Sequence, residues 1–276
     1  MAEKKNILRF LSLCLYFIAA FLLFLVLQFP YDRVKTRVES EVRSRTTLEL
    51  SIARIAPRFL NRFLLIDVVL SDKDGRVLFE SPAVKAHVPF VALLRGSAAL
   101  NLSGHAYGGE VTVKTEQGSR RAFWSVDAGG LDLAAYPLLK LLGYRIAGTM
   151  GGAFEMNNDA GKGRLWFKNL ASRELKIKGF PVPDLDFEQG WIEVETKGDR
   201  LTVKKCELDG KDLKLRVSGD LVLRERGTVN LAIKFKPSER LAREQSGLLS
   251  LLKNRDPEGY YQFTLGGTMS EPFPRI

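Results

Sequence analysis

The stretch 213-LKLRVSGDLVLRERGTVNLAIKF-235 decides how the chain is read. Leu213, Leu215 and Val217 alternate with Lys214, Arg216 and Ser218. Val229, Leu231, Ile233 and Phe235 alternate with Asn230, Ala232 and Lys234. A period of two sends every second side chain to the same face of an extended strand, so both segments predict strands with one apolar and one polar face. Between them, Leu221 and Leu223 run through Arg226-Gly227, a turn. The seven apolar side chains of the two strands are the candidate lining of an apolar groove.

The pattern repeats outward in both directions. Leu48, Leu50 and Ile52 alternate with polar or small residues, and Ser71-Asp72-Lys73-Asp74-Gly75 joins the run Leu64 to Leu70 to a returning strand. Gly108-Gly109 precedes Val111 and Val113, Gly161-Lys162-Gly163 precedes Leu165 and Phe167, and Lys197-Gly198-Asp199 separates Ile192 and Val194 from Leu201 and Val203. Gly148-Thr149-Met150-Gly151-Gly152 reads as one more tight turn; it lacks the lysine and Ser/Thr of a phosphate loop. Tyr261, Phe263 and Leu265 close the series. Short strands with tight turns at this spacing predict a mainly β protein built as a long antiparallel meander. A strongly curved sheet of this kind makes a half-barrel whose concave apolar side is a groove.

Two segments break the alternation. Leu131 to Leu142, ending at Gly143, and Pro237 to Asn254, with Ser238 as N-cap, predict short amphipathic helices that cover an end or face of the sheet, or else dock on a membrane or partner. Tyr31 to Thr46 carries Val34, Val38 and Val42 on one narrow stripe and predicts a juxtamembrane helix or stalk.

Phe10 to Phe29 is a run of 20 residues without a charge. As a helix it is long enough to cross the hydrocarbon core, roughly 30 Å. Lys4, Lys5 and Arg9 precede it, which favours a cytoplasmic N-terminus. Its end, Leu27-Gln28-Phe29-Pro30, is a poor cleavage site, so the run predicts an uncleaved anchor. The expected organisation is therefore tail and anchor over 1–30, a helix or stalk over 31–46, and a β-rich body over 47–276.

The net charge is +10. The basic residues of the body alternate with apolar ones along strands instead of clustering with aromatics, which argues for solvated strand faces over nucleic-acid binding. Anionic lipid head groups or an acidic protein fit such a balance better. Cys14 sits in the apolar run and Cys206 in a distant strand, so no disulfide framework is expected within the monomer. His87 and His105 have no companion at metal-ligand spacing, and no serine stands in a nucleophile elbow. Neither an enzyme nor a cofactor is expected.

The order of several motifs carries a resemblance. They are Leu65-Ile66-Asp67-Val68-Val69-Leu70, Val91-Ala92-Leu93-Leu94-Arg95-Gly96, Ser103-Gly104-His105-Ala106-Tyr107-Gly108-Gly109, Leu138-Leu139-Lys140-Leu141-Leu142-Gly143 and Ala147 to Gly152. Val217-Ser218-Gly219-Asp220-Leu221 follows, and Leu265-Gly266-Gly267-Thr268-Met269-Ser270-Glu271-Pro272 ends the series. Over nearly its whole length the chain resembles protein N of the type II (general) secretion system in its delta-proteobacterial form, and it is similar in style to AsmA-like periplasmic proteins. The resemblance implies a single-pass bacterial inner-membrane component with a periplasmic β-domain. Such a component would assist the export of folded proteins, with the secretin and the inner-membrane platform proteins as partners. The AsmA-like character implies a second role, binding or transfer of phospholipid in an apolar β-groove.

Overall fold

The computed structural model describes residues 30–276 except 60, 120, 175, 178–179, 182–183, 225–226, 251–254, 270 and 276; of the first 29 residues it describes 13, 16, 17, 20, 24 and 28. Most of the predicted anchor thus lies outside the described residues. Among the described residues no helix is long and apolar enough to cross a membrane.

The protein is mainly β, an open antiparallel meander of fourteen strands laid down in chain order. It divides into two compact units, Met1–Phe90 and Val91–Ile276. The first holds helix α1 (Tyr31–Arg45) and strands β1 (Leu48–Phe59), β2 (Arg62–Asp72) and β3 (Val77–His87). The β2–β3 turn is the one expected: Gly75 has φ 78°, and the Asp72 carboxylate accepts from the backbone N–H groups of Asp74 and Arg76. The helix over 31–45 also forms as predicted, but it is not a free stalk. It packs along β1, where Glu39 Oε1 accepts from the Ile52 N–H at 2.9 Å and Lys35 Nζ donates to the Ala53 carbonyl at 3.3 Å. Val34 and Val42 are half-buried, whereas Val38 is exposed.

A short helix, α2 (Phe90–Leu94), falls at the division. In the second unit follow β4 (Ala98–Ala106), β5 (Gly109–Gln117), β6 (Ala122–Asp132), helix α3 (Pro137–Leu141), β7 (Arg145–Asn157) and β8 (Ala160–Arg173). A two-stranded ribbon, β9 (Lys176–Ile177) with β10 (Phe180–Pro181), stands apart from the sheet. Then come β11 (Leu185–Lys197), β12 (Arg200–Gly210), β13 (Leu213–Val222), β14 (Val229–Pro237), helices α4 (Glu239–Glu244) and α5 (Ser246–Leu249), β15 (Tyr261–Gly267) and β16 (Pro272–Arg275).

Several sequence expectations change. Gly148 to Gly152 is not a turn; it lies inside β7. A Cβ on Gly151 would come within 2.3 Å of the Trp166 ring, and one on Gly148, whose φ is 130°, within 2.8 Å of the β8 backbone. These glycines admit a neighbouring ring and strand; they do not reverse the chain. Gly161 and Gly163 are likewise in β8, beside the Phe154 ring, and the reversal falls on Asn158-Asp159. The helix expected over Leu131 to Leu142 is shorter. Leu131 belongs to β6, and Asp132 caps a 3₁₀ turn, Leu133–Ala135, by accepting from the Ala134 N–H. Tyr136 is extended, as the residue before a proline prefers, and only Pro137 starts α3. The segment from Pro237 holds two short helices that break at Gln245, with 251–254 outside the described residues; Ser238 caps the first as expected.

Candidate functional site

Residues directly opposite on neighbouring strands share a face, so the register maps both faces of the second unit. One row runs without a break through Gly104, Val111, Ala128, Gly152, Leu165, Ile192, Cys206, Val217, Ile233 and Phe263, from β4 to β15. A parallel row begins at Leu102 and Val113 and reaches Leu231 and Leu265; another begins at Leu131 and Met150 and ends at Phe235 and Tyr261. Between them the polar row, on the opposite face, reads Ser103, Thr112, Asp127, Ala153, Arg164, Glu193 and Lys205.

The two faces differ in how they are satisfied. On the polar face Arg164 pairs with Glu193, Lys204 with Glu195 at 2.9 Å, and Lys205 and Arg216 share Glu207. Lys205 Nζ also stands 4.4 Å from the Trp191 ring centre. Charges, aromatic rings and lysine stems cover one another there. The apolar face stays partly open. Of the ten-residue row only Cys206 is buried; the other members are half-buried. Trp124, on the same face opposite Met156, is 36% exposed, and among the described residues no side chain is fully buried. A face closed by a second layer would have sealed its central row.

The seven predicted lining residues fall on this face. Leu215 is opposite Phe235, Val217 opposite Ile233, Leu213 opposite Pro237, Leu231 opposite Gly219 and Val229 opposite Leu221. Val229 is buried and the other six are half-buried. Sequence reasoning placed these two strands but missed that the same surface continues back to β4. The signal was present in Leu100 and Leu102, in Val111 and Val113, and in Phe154 and Met156, interrupted by glycines and by small residues such as Thr115 and Ala128 that keep the parity.

Titration marks local contacts more than chemistry. Burial raises the Cys206 thiol above its ordinary value, helped by the neighbouring Glu207 charge. A hydrogen bond from Arg240 holds the Asp212 carboxyl below the usual range, and the Tyr260 N–H does the same for Asp256. His87 shares a 2.9 Å contact with the Asn61 amide, and His105 stands 3.6 Å from Glu110. Among the described residues no group of three potential ligands could hold a metal. No family model matches the chain, nor does any curated protein or solved structure.

Proposed function

We propose that this chain is a membrane-anchored acyl-chain-binding protein, held in a bacterial inner membrane by Phe10 to Phe29, with the apolar face of its periplasmic sheet sheltering lipid. The observation that carries the reading is the continuous, half-exposed apolar face from β4 to β15. An uncovered apolar surface of this extent is rare on a monomer without a ligand or partner. Flexible hydrocarbon fits a long strip lined chiefly by aliphatic and aromatic side chains. The anchor is supported by Leu13, Tyr16, Phe17 and Phe24, which are helical and exposed.

The test is Ile233→Asp in the full-length chain, with bound lipid identified by native mass spectrometry. Ile233 lies between Val217 and Phe263 on the apolar face. The expected variant folds, as judged by circular dichroism, and loses most of the lipid that wild type retains. A folded variant with undiminished lipid sinks the reading, and so does a variant that fails to fold, because a half-open face tolerates a hydrated carboxylate that a closed core does not.

The motif order that resembles secretion protein N supports a second reading, an accessory component of the type II secretion system. In that role the charge-paired polar face would meet the secretin or the inner-membrane platform. The two readings are compatible. Affinity capture of the full chain, with recovered proteins and lipids both identified, separates them: enrichment of secretion components that survives Ile233→Asp supports the second alone.

A further inference from the structure

At the end of β7 and β8 that is joined to α3, two arginines stand directly opposite each other, Arg145 and Arg173. Like charges in that position repel. Each is partly answered: Arg145 Nη1 contacts Glu174 Oε1 at 2.9 Å, and Arg173 Nη2 contacts Asp186 Oδ1 at 2.5 Å while its Nη1 donates to the Ser172 and Leu185 carbonyls at 3.1 and 3.3 Å. A guanidinium has five N–H donors, so capacity remains, most of all at Arg145, whose side chain is 70% exposed. Lys140, on α3, adds a third cation to the same cavity of about 1050 Å³. The remaining carboxylate of the lining, Asp184, is engaged with the Glu174 N–H at 3.0 Å.

The rest of the lining is apolar, chiefly Leu139, Leu142 and Ile146. Its shape is fixed by a helix ending: Gly143 takes φ 74°, and the Tyr144 N–H closes onto the Leu139 carbonyl at 2.8 Å. Leu142 is left 50% exposed and its neighbour Leu141 64%. Arg145 and Ile146 are consecutive on β7 and so face opposite sides of it, yet both line the cavity at the strand end; from Ile146 the strand leads to Met150 of the apolar face, about 13 Å along it. A cationic cluster next to exposed leucines, at the end of an apolar strip, matches the two halves of an anionic amphiphile.

We propose that Lys140, Arg145 and Arg173 bind the phosphate of an alkyl phosphate or phospholipid whose chain passes over Leu139, Leu142 and Ile146 onto the apolar face. Paired guanidinium groups suit a phosphate because their donors meet two oxygens at once. The proposal rests on the acyl-binding reading above and adds the head-group site.

The experiment titrates the full-length chain, in maltoside detergent, with hexadecyl phosphate, hexadecanol and inorganic phosphate, and repeats it on Arg145→Gln/Arg173→Gln and on Lys140→Gln. Arg200→Gln, a change on another strand end, is the control. Hexadecyl phosphate should bind wild type best, and the double variant should lose roughly tenfold or more, as expected for charge-assisted hydrogen bonds. Lys140→Gln, at an exposed helical position that cannot unfold the sheet, should lose severalfold, and hexadecanol binding should not change in any variant. Equal binding of hexadecanol and hexadecyl phosphate overturns the head-group site while leaving the acyl reading intact. Inorganic phosphate binding as tightly as hexadecyl phosphate also overturns it, since the site would then serve a free anion. Failure of both alkyl probes defeats the acyl reading itself.

Discussion

In the first unit, Ile52 is 2% exposed, and across the register its row continues through Val68 to Ser81, also 2% exposed. In the second unit, rows of the same residue types stay largely half open over ten strands. Strand chemistry does not distinguish the two, but the accompanying helices differ. In the first unit α1 has 15 residues and lies along β1, whereas in the second α3, α4 and α5 have 5, 6 and 4. Those helices are too short to roof a sheet of that width, because each residue advances a helix by only about 1.5 Å. α1 packs on β1, at the Ile52 end of the buried row, and among the described residues the second unit has no helix of that length beside its apolar rows.

That contrast is broken most directly by truncating one residue from each kind of row. Ile52→Ala should cost roughly 2–5 kcal/mol, as in sealed cores, and Ile233→Ala only about 1 kcal/mol, because its transfer from water is incomplete. Guanidinium unfolding of the two variants measures both, and equal losses would erase the distinction. Gly151→Ala should cost about 1–3 kcal/mol, because the added methyl meets the Trp166 ring and the Ala128 carbonyl. A shift in tryptophan emission should accompany it.

Legibility followed range along the chain. The alternation in Leu213 to Phe235, the Asp72 to Gly75 turn and the Ser238 cap depend on neighbours a few residues away, and all were readable. The glycines of Gly148 to Gly152 were misread because their purpose is a ring and a backbone on the next strand, which local sequence does not display. The helix expected from Leu131 was too long because the leucines mask two local signals, the Asp132 side chain and the Tyr136-Pro137 step. The apposition of Arg145 and Arg173 was nearly within reach. Counting outward from Asn158-Asp159 pairs Arg145 with Ser172, one residue short, and the irregularity between Ala147 and Thr149 makes up the difference.

Smaller effects sharpen the comparison. Glu39→Ala leaves the Ile52 N–H without its acceptor and should cost about 1–2 kcal/mol. Amide hydrogen exchange at Ile52 should then speed up while exchange at Ile233 stays the same. Acid should act on the second unit through Asp212 and Asp256. Their folded pKa values lie below the unfolded ones, so their contribution is complete above the ordinary carboxylate range, near pH 4, and is lost as pH falls through the folded values. Melting temperature should hold steady from pH 8 to about 5 and then decline, with a shallower decline in Asp212→Asn. Least of all, Cys206 should react with a maleimide more slowly in the folded chain than in urea, since burial and Glu207 both disfavour its thiolate.

The last strand, β16, is only four residues long, and two of them, Pro272 and Pro274, have no backbone N–H to offer. At the other terminus, the Ile52 N–H and the Ala53 carbonyl of β1 are already taken by Glu39 and Lys35. An open meander is a template that could in principle lengthen by capturing a strand from its neighbour, and a tether in a two-dimensional film would bring such neighbours together constantly. With proline on one edge strand and a helix along the other, copies held by the proposed anchor would crowd without polymerising. Its sheet can therefore be long and one-sided without becoming the seed of a fibre.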